Sequence, residues 1–443
     1  MNHALIQDFY TPEDIFAVAR NEAEVSNLIN NDVYKFYMLD FILNHPEYAK
    51  LQVEWKMTIR SKDVKTAQVI PEEDLIHQLR ATQNIEVPDE DLDYLKSIQN
   101  ASESRFSQTT IDFLKTFKLP DFNVEQDGNG NYEMTFRSWQ ESMMWEIFGL
   151  KIINTLYLYN YIKKAELSDL EFNEIIQTTL SRLVKDIEIF KTEPETKFSD
   201  FGTRRSMSTD FQMIVNKILE DQLPGQYLTS NPLIAKELGH ERAIGTNAHE
   251  LRMIPTALYD DPQDIIDEMY NIDIKWQKHF PDLAILLPDT YGTTFYQKNA
   301  PKTIIENHSN RFDSKDPMIA IPEYIDWLIE NGQDPMLKSA IPSDGLNAQK
   351  AVDITKKFKD QISLSYGIGT NLSNNTKTWP REVEPFGPFG SFSVVIKPSK
   401  IQRPDEWVST VKLSDNPDKA VSNQRVQKFK NIFSEVQRED VLV

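Results

Sequence analysis

Arg204 and Arg205 stand side by side just after a short apolar stretch. Two guanidinium forks placed there suit a carboxylate or a phosphate. The plain alternative is a pair of surface arginines at a helix start, but a helix N-terminus repels cations and favours acids. Further on, Ser343-Asp344-Gly345-Leu346-Asn347 and Gly367-Ile368-Gly369-Thr370-Asn371 each follow a short apolar segment. Glycines in such loops let backbone N–H groups approach an anion, and a following helix adds positive potential. Either loop alone reads equally well as a turn; their order and position make the pair a candidate phosphate cradle. Asp289, Asp313, Asp316 and Asp344 fall in loops of the same kind. Carboxylates grouped with phosphate donors suit Mg²⁺ or a cationic sugar transition state. Singly, each aspartate would be read as a helix cap. His249 precedes Glu250 at a helix start and is placed for nucleophilic or acid–base work. His3, His45 and His308 have no such setting, and no zinc-type spacing, P-loop or dinucleotide fingerprint occurs. Tyr34, far upstream in a helical stretch, reads on the sequence alone as a core aromatic.

These residues need a scaffold that brings them together. From about Lys197 a short apolar stretch repeatedly meets a polar, glycine-bearing loop, and a helical pattern mostly follows. The apolar stretches are Phe198 to Gly202, Gln226 to Leu228, Arg242 to Ile244, Leu283 to Leu287, Arg311 to Asp316, Ser339 to Pro342 and Ile362 to Tyr366. Strands alternating with helices imply βαβ units and a mostly parallel sheet. Seven steps suit an irregular TIM-like α/β barrel, whose active sites lie in the loops after the strands and whose phosphate sites commonly use the last two. A doubly wound open sheet is the alternative and would place ligands at the same strand ends.

The first third mixes helices and strands. Asp32 to Asn44 has helical spacing. Leu51 to Ile59 alternates like a strand. Pro71 to Gln99 reads as two helical pieces broken near Pro88. Phe122 to Phe136 reads as a hairpin around Asp127-Gly128-Asn129-Gly130. Trp139 to Lys164 and Ser168 to Phe190 are long helices, the second entered through a Ser168/Glu171 capping box. After Trp379 strands return, at Phe392 to Ile396 and Trp407 to Leu413, and a helix from Asn423 to Phe433 ends the pattern. Two domains are expected: residues 1–137 completed by 380–443, and a barrel over 138–379.

The chain has 443 residues and a formal net charge of -20. That field repels nucleic acid and anionic membranes, so local arginines must overcome it if the substrate is an anion. There is no cysteine, which removes disulfides, thiol nucleophiles and thiolate metal sites together. No basic-then-apolar leader and no run of about 18 apolar residues is visible. A cytoplasmic location is therefore expected.

The loops resemble those of nicotinate phosphoribosyltransferases, over roughly Asn27 to Phe433. The matching segments are Asn31-Asp32-Val33-Tyr34-Lys35, Asp200-Phe201-Gly202-Thr203-Arg204-Arg205, Gly245-Thr246-Asn247-Ala248-His249-Glu250, Asp289-Thr290-Tyr291-Gly292-Thr293, Ser343-Asp344-Gly345-Leu346, Gly367-Ile368-Gly369-Thr370 and Lys412-Leu413-Ser414-Asp415. The resemblance implies a type II phosphoribosyltransferase: an irregular α/β barrel, a second α/β domain from both chain ends, and a homodimer with shared active sites. It implies transfer of phosphoribosyl from phosphoribosyl pyrophosphate to nicotinate, with ATP as co-substrate and Mg²⁺ as cofactor. By similarity, the pyridine stacks between Phe201 of one subunit and Tyr34 of the other. Arg204, Arg205 and Arg311 would hold the carboxylate and phosphates, and Thr246 lies among the binding segments. Ser343, Asp344, Gly345, Gly367, Gly369 and Thr370 would cradle the 5′-phosphate. Asp289 and Asp313 would serve ribose hydroxyls or Mg²⁺–pyrophosphate, and His249 matches the histidine that ATP phosphorylates. Three departures stand out, one of them Leu228, which stands before Thr229-Ser230 where the family normally has a glycine. Lys315 and Asn347 occupy positions where the family usually has glycine and aspartate. Lys315 would either add a phosphate contact or narrow the site. The alternatives to nicotinate transfer are transfer to nicotinamide or another pyridine, and a catalytically impaired pyridine-binding homologue.

Overall fold

The computed structural model describes residues 8–100, 103–376, 389–416 and 424–433. Trp379 and Asn423, where the sequence places a domain boundary and a helix start, lie outside them, as does His3. In chain order the strands are β1 (Val53–Ile59), β2 (Gln99–Asn100), β3 (Glu103–Ser104), β4 (Phe122–Gln126), β5 (Tyr132–Arg137), β6 (Phe198–Asp200), β7 (Tyr227–Thr229), β8 (Ile285–Leu286), β9 (Ser309–Phe312), β10 (Ser339–Pro342), β11 (Ser363–Leu364), β12 (Tyr366–Ile368), β13 (Val394–Gln402) and β14 (Trp407–Ser409).

A five-stranded antiparallel sheet runs β14-β13-β1-β5-β4, so strands from both parts of the chain meet in it. Period-two alternation makes this sheet. Val53, Trp55 and Met57 of β1 are fully buried, while the other face carries the Lys56–Glu133 ion pair. The β4–β5 hairpin turns where expected. The Asp127 carboxylate accepts the Asn129 and Asn131 N–H groups, each at 2.8 Å, and Gly130 takes φ +82°. Ile396 of β13 packs on Gly149 of the long helix Trp145–Lys164, where a Cβ would come within 2.8 Å of the isoleucine methyl. The second long helix, Asp169–Lys191, keeps its Ser168/Glu171 capping box. No helix among the described residues is long and apolar enough to cross a membrane.

The parallel strands form two sheets, β12-β6-β7 and β11-β10-β9-β8. Among the described residues their ladders do not close into a barrel. On one side the chain steps directly from β11 to β12, and Ser365 N donates to Ala340 O at 3.4 Å between them. On the other side no ladder joins β7 to β8. The expected strand at Arg242 to Ile244 is irregular backbone that keeps one hydrogen bond, Ile244 N to Thr229 O at 2.8 Å. Asn247 Nδ2 then donates to Ile285 O at 3.0 Å. Two- and three-residue strands are too short to sustain a ladder across that gap, so a side-chain amide bridges it.

A large core runs through both parts of the molecule. A smaller cluster gathers Ile265, Met269, Tyr291 and Phe295 with Val411, Leu413, Phe429 and Phe433. It anchors the segment after β14 beneath the Asp289 loop, which becomes important for the site.

Candidate active site

His249 opens the short helix His249–Met253, and its side chain is buried. Its Nε2 lies 2.8 Å from Asp289 Oδ1, and its Nδ1 lies 3.9 Å from Asp313 Oδ2. Asp289 sits in the loop after β8. Its other oxygen accepts from Ser314 Oγ at 2.8 Å and pairs with Lys412 Nζ at 3.5 Å. Asp313, after β9, accepts from Ser343 Oγ at 3.1 Å. Three consecutive strand–loop units therefore converge on one histidine. His249, Asp289 and Asp313 are close enough to share one cation: a donor atom of each falls within 4.8 Å of the others.

Electrostatics fix the state of the dyad. Against the cost of burial, His249 and Lys412 hold Asp289 well below the carboxylate range. Burial holds the His249 imidazole well below its ordinary value; Asp289 opposes this, while Lys412 and Lys397 reinforce it. A charged Asp289, a charged Lys412 and a neutral His249 sum to zero. A charged imidazole would leave a buried excess positive charge beside Lys397. Nε2–H therefore donates to Asp289, and the Nδ1 lone pair faces the Asp313 side.

A cationic wall surrounds this dyad. Arg204 Nη1 pairs with Glu146 Oε1 at 2.6 Å. Glu146 also grips the fully buried Lys35, which grips Glu250, the residue after His249. Lys35 Nζ lies 5.3 Å from the Tyr34 ring centroid. Tyr34 and Arg204 are thus electrostatic neighbours within one chain. Burial and Arg204 push Arg205 down to about 10, while Asp313 and Asp344 pull it back. The buried Nε atoms of Arg205 and Arg311 have no hydrogen-bond partner in the structure. Arg311 Nη1 donates to Asn247 O at 3.4 Å, beside Thr246. Burial and Lys412 push the partly buried Lys397 of β13 down to about 7. Unpartnered or like-charged buried cations are expensive unless an anion arrives to meet them.

The two glycine loops lie together, since Asn371 Nδ2 donates to Leu346 O. Gly345 is exposed, with φ +58°. Asn347, where the family usually has aspartate, caps the helix Ala348–Phe358 by accepting from Lys350 N at 2.9 Å. The glycines of the second loop serve another purpose as well. A Cβ on Gly367 would collide with the Phe201 ring, and one on Gly369 would come within 3.1 Å of Phe201 O. The bareness of Gly367 makes room for Phe201, which the sequence reading did not foresee. Thr370 begins the helical turn Thr370–Ser373 after Gly369.

Of the four rim aspartates, Asp316 does what a lone aspartate usually does, capping helix Pro317–Glu330 through Met318 N. Asp289 and Asp313 turn to the histidine instead. Lys315 leans toward the same helix and pairs with Glu323 at 2.6 Å. It is not among the residues with positive φ, so a lysine fits the backbone there without strain. Lys35, Glu146, Glu250, Ser314 and Lys397 escaped the sequence reading. A lysine or glutamate inside an otherwise apolar helix, as at Lys35 and Glu146, is the signal that could have flagged two of them.

Residues 196–436 match the model of the nicotinate phosphoribosyltransferase (NAPRTase) family, and residues 29–154 match that family's N-terminal domain. Among solved structures, the chain is similar to the nicotinate phosphoribosyltransferase of Porphyromonas gingivalis at 24% identity and TM-score 0.78, covering 93% of this chain and 100% of that one. It is likewise similar to the nicotinate phosphoribosyltransferase of Vibrio cholerae at 23% identity and TM-score 0.79, covering 95% of each chain. With both family segments matched in order across the site and its scaffold, the chain belongs to the nicotinate phosphoribosyltransferase family.

Proposed function

We propose that this chain joins nicotinate to the phosphoribosyl group of phosphoribosyl pyrophosphate, releasing nicotinate mononucleotide and pyrophosphate in NAD salvage, with ATP hydrolysed through a phosphohistidine at His249. The observation that carries this reading is the His249–Asp289 contact at 2.8 Å beside a wall of partly buried arginines. Arg204 and Arg205 are suited to the nicotinate carboxylate, and Phe201 and Tyr34 to the faces of the ring. Arg311, Lys397 and the Ser343–Gly345 and Gly367–Thr370 loops are suited to the donor's phosphates.

In the transfer step the C1–O bond of the donor breaks and its electron pair leaves with pyrophosphate. The pyridine nitrogen, held in line, supplies the pair for the new C1–N bond. Cations around the leaving group stabilise the charge that develops on it. Mg²⁺ bound with pyrophosphate would neutralise the leaving group further. Asp313 is the better of the two expected carboxylates to hold it, because both oxygens of Asp289 already serve His249, Ser314 and Lys412. The family resemblance also implies a homodimer. In that dimer the second copy would supply the Tyr34 that faces the ring opposite Phe201.

The test is pyrophosphate release by the purified protein with phosphoribosyl pyrophosphate and nicotinate, with and without ATP, and with nicotinamide in place of nicotinate. Turnover with nicotinate, increased by ATP, is expected. Faster turnover with nicotinamide would move the activity to the other pyridine, and binding without turnover would reduce the chain to a pyridine-binding protein.

A further inference from the structure

The segment after β14 reaches across the molecule to hold the Asp289 loop. Thr410 N donates to Ser399 O at 3.0 Å, and Leu413 N donates to Thr290 O at 2.9 Å. Val411 N donates to Thr256 Oγ1 at 2.9 Å. Asp415 accepts from Thr293 N at 2.8 Å and from Thr293 Oγ1 at 2.6 Å. Val411 and Leu413 are sunk in the smaller apolar cluster. In extended chain, successive side chains face opposite ways. Lys412, between them, therefore points away from that cluster, and its Nζ stands 3.5 Å from Asp289 Oδ2. Only 1% of Lys412 is exposed. A lysine buried this deeply has a long, flexible stem that must be locked, so its placement is costly unless its charge is used.

Asp289 is a two-sided acceptor. Oδ1 faces His249 Nε2, while Oδ2 receives Ser314 and Lys412. An imidazole that attacks phosphorus must present a lone pair, which requires its proton to stay on the other nitrogen. We propose that Lys412 is a positioning residue that, by pairing with Asp289 Oδ2, orients the Asp289–His249 contact so that the Nε2 proton stays toward Asp289 and Nδ1 is presented as the nucleophile. This rests on the reading of His249 as the phosphoryl acceptor. The step then balances without moving a proton. The Nδ1 pair forms the N–P bond, the bond from the γ-phosphorus to the bridging oxygen breaks, its electrons leave with ADP, and the Nε2 proton stays where it is. Without Lys412, Asp289 would turn toward solvent or Ser314, and the ring would be free to flip its tautomer.

The experiment is ¹⁵N–¹H correlation NMR on histidine-labelled full-length protein, with His249 assigned by its loss in His249→Gln. It is paired with phosphoryl incorporation from γ-labelled ATP. In the unsubstituted protein, Nε2 should show the protonated signature and Nδ1 the bare one; the reverse pattern overturns the proposal with no variant needed. Lys412→Met should scramble that signature and slow incorporation by about 100-fold, the upper end of what losing an orienting partner costs. Lys412→Arg should restore both. Asp415→Asn, which loosens the same clamp without touching the site's charge, should leave the signature intact. An unchanged signature in Lys412→Met, or loss of it in Asp415→Asn to the same degree, makes the lysine merely structural and overturns the proposal. Incorporation that survives His249→Gln would instead refute the phosphoryl-acceptor reading, while the tautomer measurement would still decide the role of Lys412.

Discussion

The Phe201 ring fills the space that a side chain on Gly367 would need. Gly367 of β12 pairs with Ser199 of the parallel strand β6, and Phe201, the residue just after β6, donates its N–H to Ile368 O at 2.9 Å. Gly367 thus holds the aromatic face in position by its bareness. Gly367→Ala should displace the ring and raise the Michaelis constant for nicotinate by roughly tenfold, about the 1.4 kcal/mol scale of an aromatic contact. The donor's constant should change far less. The Phe201→Ala variant should show the same split, and the double variant should be no worse than Phe201→Ala alone, because both act through one ring. Additive losses would mean that the glycine acts independently, through the phosphate.

His249 should carry the response to ATP and little of the basal transfer. His249→Ala leaves Asp289 with Ser314 and Lys412 as partners, so the loop should stay folded. ATP stimulation of pyrophosphate release should vanish while slow ATP-independent transfer persists. Stimulation that survives the substitution rules out the phosphohistidine.

Lys315 should matter little to donor turnover. Its ammonium is paired with Glu323, which is about half exposed, at 2.6 Å, and its backbone needs no positive φ. Because the Lys315 side chain is only 8% exposed, Lys315→Gly, the family's usual residue, should cost about 1.5–3 kcal/mol of stability, as for a hydrogen bond to a charged group, but change kcat/KM for the donor by less than about threefold. A loss of donor affinity of ten times or more would show that Lys315 reaches the phosphates.

Much of this site was legible because its chemistry sits in short loops with distinctive residues. Arg204, His249, Asp289 and Gly369 were singled out from loop position, and the structure brings their loops to one region. The antiparallel sheet was legible too, since Val53, Trp55 and Met57 alternate with polar neighbours. That the parallel ladders stop short of the expected barrel was not, because two-residue strands such as Ile285–Leu286 carry too little pattern to reveal where a ladder stops. The buried lysines were hidden for a different reason. Lys35 reads as the polar face of a helix until Glu146 and Glu250, more than a hundred residues away, are seen to meet it. Such partners have no local spacing to betray them.

The chain of charges from Arg204 through Glu146 and Lys35 to Glu250 is a stability element as well as a frame for the site. Lys35 is fully buried. Lys35→Met would leave two buried carboxylates without their shared cation, which typically costs about 3–5 kcal/mol. Denaturant unfolding should show that loss, and adding Glu250→Gln should recover part of it. An unchanged midpoint would mean that water replaces the lysine.

Lys397 should give the reaction a pH dependence near neutrality. Burial and the neighbouring Lys412 push its ammonium down to about 7 in the protein without ligands. Below that value it is charged and can attract the donor's phosphates; above it the charge is lost. Because kcat/KM reports the free enzyme, kcat/KM for the donor should fall as pH rises through about 7, by up to about tenfold per unit. The kcat itself should stay flatter, since bound phosphates favour the charged form. The folded chain also releases this proton earlier than the unfolded chain, whose lysines titrate near ~10.4. Stability should therefore rise with pH across that window, and Lys397→Met should remove the rise. Arginine cannot titrate in this range, so Lys397→Arg should abolish the alkaline limb of kcat/KM while keeping donor binding. A limb that survives in the arginine variant belongs to the donor or to another group.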